Sequence, residues 1–336
     1  MRVAGGLVAL VLVCGPQLRG ELGTYRESLP TPGFHLEFVS DDFEQLECRF
    51  NDAELDLLEK LNRVDRERFI ELGKIVVPDQ WDLPETAYSP LPQWFTWAAY
   101  FPKAIVVSKE LQAFGAYEDG HLVSWGPVST GAQKSPTPNG LFHLNWRSKS
   151  HRSTVNRSWL LNWYFNFSNE RGYSFHEYEL PGLPASHGCV RMLRRDAYWM
   201  YEWGDSWELD ERGWNIERAG TPVLVLGAYS HSDPQPWLQP SSIDLESVEL
   251  PGKALNLVAA VLLARAEQIS PLGTNGTELE LSVGWISESR APSEIADLAL
   301  YPWTLVPHGA TPAGFLVKTL SIFTDAISVE PLRPSR

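Results

Sequence analysis

The run Ser186-His187-Gly188-Cys189-Val190-Arg191 places a thiol directly after a glycine, with an imidazole two residues before it and a guanidinium two residues after. A cysteine attacks carbonyls as its thiolate. Near neutral pH that form needs help from a base or a positive neighbour, and the oxyanion produced needs hydrogen-bond donors. Two histidines can serve as base. His176 lies ten residues before Ser186 and is preferred; His187 is assigned to shaping the pocket. The backbone N–H groups of Gly188 and Cys189 are candidate oxyanion donors, and a glycine at 188 lets substrate approach the backbone closely. Ser186 can fix the turn through its hydroxyl. Arg191 can hold a substrate carboxylate through paired N–H groups, the alternative being a structural ion pair beneath the site.

Two further blocks precede His176. They are Val128-Ser129-Thr130-Gly131 and Thr137-Pro138-Asn139-Gly140-Leu141-Phe142. The four blocks, in this order, resemble the L,D-transpeptidase catalytic domain of bacterial cell-wall synthesis, the YkuD type. The resemblance covers roughly residues 100–228. It implies a mainly β fold with one or two helices and no cofactor. It also implies a cysteine enzyme acting on peptidoglycan stem peptides. Cys189 would form a thioester and expel a D-amino acid, with His176 as base, and an amine of a second stem peptide or of a protein would take up the acyl group. Thr137 and Gly140 would shape the substrate wall together with Ser186 and Arg191. Carbapenems acylate members of this family. The chain departs from many members in that Glu177, not glycine, follows His176, and only nine residues separate His176 from Ser186. That wording suits a subgroup with a shortened loop.

Other readings stay open. Water as acceptor would give an L,D-carboxypeptidase, or an endopeptidase, on the same fold. A wall-binding protein with a retired site belongs to a different class. Zinc accepts histidine and cysteine, but no Cys-x-x-Cys pair or His-Glu-x-x-His run occurs, so no metal is expected. His143 and His151 sit among Arg147, Lys149 and Arg152, in a solvated basic loop or a carboxylate patch. Trp146, Trp159, Trp163, Trp199 and Trp203 cluster near the motif, as core packing or as a platform for sugar or peptide faces.

Several elements must position these groups. Asn51 and Glu54 form a capping-box pattern ahead of Leu55, Leu58 and Leu61, predicting a helix over 52–62. Ala104 to Val107 reads as a strand. Leu111–Tyr117 and Leu122–Trp125 flank Asp119-Gly120 as a hairpin. Residues 192–203 read as a helix and Thr221 to Leu226 as the last strand. Around this catalytic range of 96–228, residues 21–50 read as extended or loop and the proline-rich 79–94 as a linker or a draped loop. Residues 61–79 partly resemble a LysM-type glycan-binding unit, the alternative being a helical cap packed on the enzyme domain. Residues 229–250, rich in Ser, Pro and Asp, suggest a boundary. Beyond it lies a small α+β region, 251–336, with a helix at 254–268, a strand at 279–285 and a further apolar element in 304–329.

The formal net charge of −14 argues against a nucleic-acid binder, which needs phosphate-neutralising patches. Met1-Arg2 followed by the apolar run Val3–Val13 reads as an export signal, with residues 1–20 removed and the protein in the periplasm or cell envelope. Membrane attachment is expected only if Cys14 is lipidated. With export, Cys48 and Cys189 remain, and bridging them would consume the nucleophile, so no structural disulfide is expected.

Overall fold

The structure, a computed structural model, describes residues 30–39, 43–232, 235–238, 245, 248 and 250–269, together with Leu7–Leu12 and Lys318–Phe323. Cys14, the proposed signal cleavage point and the expected strand at 279–285 lie outside the described residues. The chain divides into two compact units, Ser28–Val248 and a second formed by Met1–Glu27 with Glu249–Arg336.

In chain order, β1 (Leu7–Leu12) belongs to the second unit. The larger unit opens with β2 (Phe34–Phe38), α1 (Phe43–Arg49), α2 (Asp52–Asn62), α3 (Phe69–Leu72) and β3 (Lys74–Pro78). The capping box of α2 is present, with Glu54 N–H on Asn51 Oδ1 and Asn51 N–H on the Glu54 carboxylate. β2 and β3 pair antiparallel across the helices. Leu46, Phe50, Leu55, Leu58, Phe69, Ile75 and Val77 close a core of their own. Residues 21–50, expected as extended or loop, therefore also hold a helix, seated by Leu46 on α1 and by Phe50 just after it, both buried in that core.

The rest of the unit is built on β4 (Ala104–Ser108), β5 (Ala113–Glu118), β6 (His121–Ser129), β7 (Gly140–His143), β8 (Arg147–Arg152), β9 (Leu160–Ser168), β10 (Tyr173–Glu177), β11 (Val190–Met192), α4 (Arg194–Trp203), β12 (Glu208–Leu209), β13 (Ile216–Arg218) and β14 (Pro222–Leu226). Nine of these strands form one sheet in the order β7-β14-β4-β5-β6-β11-β10-β9-β8. The strand-rich fold with one helix in the catalytic range is the one expected. Two pairs, β4–β14 and β10–β11, are parallel and the other neighbours antiparallel. β4 and β14 are apolar and buried along their whole length, as strands covered on both faces must be. α4 packs Ala197 and Met200 against Phe165, Phe175, Val190 and Met192 of the sheet.

The N-terminal segment is bound to this sheet by polar contacts. Lys60, buried, donates to Trp125 O at 2.9 Å and pairs with Asp196 and Glu85. Arg195 pairs with Asp56 and Glu59. The proline-rich stretch 79–94 is also packed, with Tyr88 and Leu91 buried. At the other end Trp237 and Leu245 are buried as well, although their neighbourhood reads as a linker. The compact unit thus extends past 96–228 on both sides.

A chain ending at Ser232 should lose the burial of Trp237 and Leu245. Removing one large core aromatic costs about 3–5 kcal/mol, a fall in Tm of roughly 6–20 °C for a unit of this size. A chain ending at Val248 should keep the transition. Indistinguishable thermal melts for the two truncations would show that the segment contributes nothing.

In the smaller unit, α5 (Gly252–Ile269) and β15 (Lys318–Phe323) supply the helix and the further apolar element expected there. β15 pairs antiparallel with β1.

Candidate active site

The parallel register of β10 and β11 sets Phe175 opposite Val190 and His176 opposite Arg191. Side chains alternate across a strand. Phe175, Val190 and Met192 therefore enter the core, while Ser174, His176, Cys189 and Arg191 share the opposite face. His176, Cys189 and Arg191 meet there in a cavity of about 300 Å³, with Ser186 and His187 also in its wall.

The turn before Cys189 is tied on three sides. Ala185 and Ser186 N–H donate to Thr130 O, and Ala132 N–H to Ser186 O, which zips the Val-Ser-Thr-Gly block to the cysteine block. Ser186 Oγ donates to Cys189 O at 2.5 Å and accepts Gly188 N–H at 3.1 Å. Thr137 Oγ1 accepts Gly131 N–H at 2.9 Å and donates to Gly188 O at 3.0 Å. Gly188 has φ +109°, and a Cβ there would lie 2.3 Å from the Tyr173 ring, so the turn admits only glycine.

These contacts correct three expectations. Gly188 N–H is committed to Ser186 Oγ and is not free for an oxyanion. Thr137 is fully buried and outside the cavity wall; it braces the turn rather than touching substrate. Gly140 also lies outside the wall, opening β7 opposite Val225.

His176 is 4 % exposed. Its Nδ1–H donates to Glu177 O at 2.9 Å, which fixes the tautomer and leaves Nε2 with its lone pair free to accept a proton. Burial, with help from the Arg191 charge, pulls its pKa down to about 4. Burial pushes the Cys189 thiol up. Its Sγ lies 3.5 Å from Ser174 Oγ and 3.8 Å from Gly172 O. The resting pair is a neutral imidazole and a neutral thiol. Such a site can release a thiolate by transferring the thiol proton to the imidazole as a carbonyl arrives.

Arg191 packs over the Tyr178 ring at 4.5 Å and donates to Glu179 O at 3.4 Å. It makes no ion pair among the described residues, so the structural-pair alternative has no partner there. His187 is exposed, with its ring 5.7 Å from Trp159. Trp146 and Trp159 line the cavity, whereas Trp163, Trp199 and Trp203 pack against the core. His151 lines the cavity from β8, which is an edge strand and not a loop, while His143 sits on β7 outside it.

The sequence alone does not single out Ser174, Tyr164 or Arg171. Ser174 is buried beside the thiol. Tyr164 bonds Ser174 and donates to Gly172 O at 3.3 Å. Arg171, exposed on the β9–β10 turn, brings a second guanidinium to the cavity rim.

Residues 102–225 match the family model of the YkuD L,D-transpeptidase catalytic domain. The chain carries a YkuD domain. The match takes in all four sequence blocks and every residue of the cysteine turn. Among solved structures, the chain is similar to an L,D-transpeptidase from Stackebrandtia nassauensis, with 25% identity over 38% of this chain and 57% of that one, and a TM-score of 0.32. It is also similar to the catalytic domain of an Enterococcus faecium L,D-transpeptidase, with 22% identity over 37% of this chain and 96% of that one, and a TM-score of 0.29. For an L,D-transpeptidase from Mycobacterium smegmatis the values are 15% identity, 65% and 99%, and 0.32. No curated protein matches the chain. The chain spans 57% of the length of the Stackebrandtia protein it matches.

The two titration shifts around the YkuD cysteine make a testable statement. A raised thiol pKa means that alkylation of Cys189 by iodoacetamide should still be climbing at pH 9. With His176 neutral down to about pH 4, no inflexion should occur near 6.5. Peptide mass analysis reads this directly, with the exposed Cys48 as a reference in the same sample. A plateau below pH 7 would mean a preformed thiolate–imidazolium pair.

Proposed function

We propose that the chain is an exported cysteine L,D-transpeptidase that joins peptidoglycan stem peptides through a thioester on Cys189. The observation that carries this reading is the shared face of β10 and β11, where an imidazole with its Nδ1 tied to Glu177 O sits in one cavity with the thiol. As the donor peptide binds, the Cys189 proton passes to His176 Nε2 and Sγ attacks the amide carbonyl carbon. The oxyanion is met by Cys189 N–H. The tetrahedral adduct collapses, the C–N bond breaks, and His176 returns its proton to the departing D-amino acid nitrogen. An acceptor amine then attacks the thioester, loses a proton to His176 and releases the thiol. Arg191 and Arg171 supply the local positive charge that an acidic stem peptide needs on a chain of net charge −14. Trp146 and Trp159 offer flat apolar walls to the peptide.

The antiparallel pair β2–β3, enclosing α1, α2 and α3, supports reading residues 34–78 as the glycan-binding unit that part of their sequence resembles, which would hold the enzyme on its polymer. Incubation with a tetrapeptide-bearing muropeptide tests the whole reading. Joined dimers are expected; trimmed monomers alone would make the protein a carboxypeptidase, and unchanged substrate a wall-binding protein.

A further inference from the structure

A second cavity, of about 190 Å³, shares no lining residue with the Cys189 cavity. Most of its wall is apolar, from Phe34, Leu61, Val76, Pro90 and Leu111. Arg63 and Trp237 also line it, and they are 2 % and 5 % exposed. Arg63 ends α2. Its Nε–H donates to Leu111 O at 3.1 Å, and Nη1 donates to Lys60 O and Leu61 O at 2.5 and 2.7 Å. Among the described residues no hydrogen bond uses Nη2 and no carboxylate pairs with the guanidinium. Trp237 Nε1 is buried without an acceptor. The guanidinium packs 5.6 Å from the Trp237 ring, so the two open donors belong to one cluster.

A buried cation is ordinarily paired, because an uncompensated charge in a low-dielectric interior is costly. Lys60, three residues earlier and as deeply buried, follows that rule with Asp196 and Glu85. Arg63 does not, and burial alone pulls its pKa down to about 9. The last carbonyls of α2 offset part of the charge through the helix dipole but carry no formal negative charge. The open donors call for one compact anion. Of the other hydroxyls of the wall, Tyr88 Oη donates to Gln80 O and accepts Leu83 N–H, Ser89 Oγ accepts Leu91 N–H, and Thr31 adds a third. The two open N–H donors match the two oxygens of a carboxylate.

We propose that this cavity binds a small monocarboxylate with an apolar body, its carboxylate on Arg63 Nη2 and Trp237 Nε1 and its hydrocarbon against Phe34, Leu61 and Val76. The site does not depend on the chemistry at Cys189.

The test is calorimetric titration of the full chain with 4-methylpentanoate, its neutral amide and inorganic phosphate at constant ionic strength. Saturable binding of the carboxylate, at least tenfold tighter than the amide, is expected, since a hydrogen bond to a charged group contributes about 1.5–3 kcal/mol. Arg63→Gln should abolish binding. Trp237→Phe, which keeps the ring and removes the N–H, should weaken it about tenfold, and this variant decides the matter if Arg63→Gln fails to fold. Arg191→Gln should leave binding unchanged. The proposal is overturned if the carboxylate does not bind at millimolar concentration, if amide or phosphate binds as tightly, if Trp237→Phe has no effect, or if binding is lost in Arg191→Gln, which would place the probe in the Cys189 cavity.

Discussion

Replacing Cys189 with alanine is expected to abolish turnover of muropeptides and acylation by a carbapenem, while leaving the melting transition in place. The side chain is small, and its polar contacts are to the hydroxyl and backbone of Ser174 and a long one to Gly172 O. The turn is held by Ser186, Thr137 and the Thr130 backbone, none of which needs the sulfur. Intact-mass analysis should show the wild-type chain heavier by one acyl group and the variant unchanged. The other resolved thiol, Cys48, is exposed on α1 in a different part of the fold. An adduct on Cys189→Ala, or product from it, would end the assignment of the nucleophile.

The second large effect is expected at His176. Loss of a general base lowers rates by about 10²–10⁴-fold. His176→Ala should do so for acylation because its buried imidazole lines the cavity and is fixed through Nδ1–H on Glu177 O, which leaves Nε2 to take the thiol proton. His187→Ala should be milder: that ring is exposed and rests on Trp159. Single-turnover acylation rates for the two variants separate the roles. A greater loss in His187→Ala would transfer the base to residue 187.

Signals confined to a few adjacent residues were legible in the sequence. The capping box of α2, the Asp119-Gly120 hairpin, the apolar strands β4 and β14 and the cysteine turn each depend on neighbours in the chain. The rest depends on pairing between distant segments. Thr137 looks like part of a substrate wall until its hydroxyl is seen joining Gly131 to Gly188. β9, Leu160–Ser168, runs apolar and aromatic without strict alternation, so its period does not reveal that Tyr164 faces the thiol side while Phe165 enters the core. Ser174 becomes a neighbour of Cys189 only through the parallel register. Trp237 and Leu245 are isolated apolar residues in a polar stretch, and composition averages them away.

That register has a consequence for how the protein can be altered. His176 lies on β10 and Cys189 directly precedes β11, and between β10 and the tied turn at Ser186–Gly188 the segment 178–185 returns the chain. Its middle is pinned elsewhere, where Leu180 N–H meets the Asp65 carboxylate at 2.7 Å and Pro181 pairs with Val64. A crossover anchored in this way can be lengthened or shortened between its fixed points without displacing base or thiol. The short loop of this chain is therefore compatible with an unchanged reacting geometry, and the exposed side chain of Leu183, between buried Gly182 and Pro184, is the position where a new surface contact could be grafted.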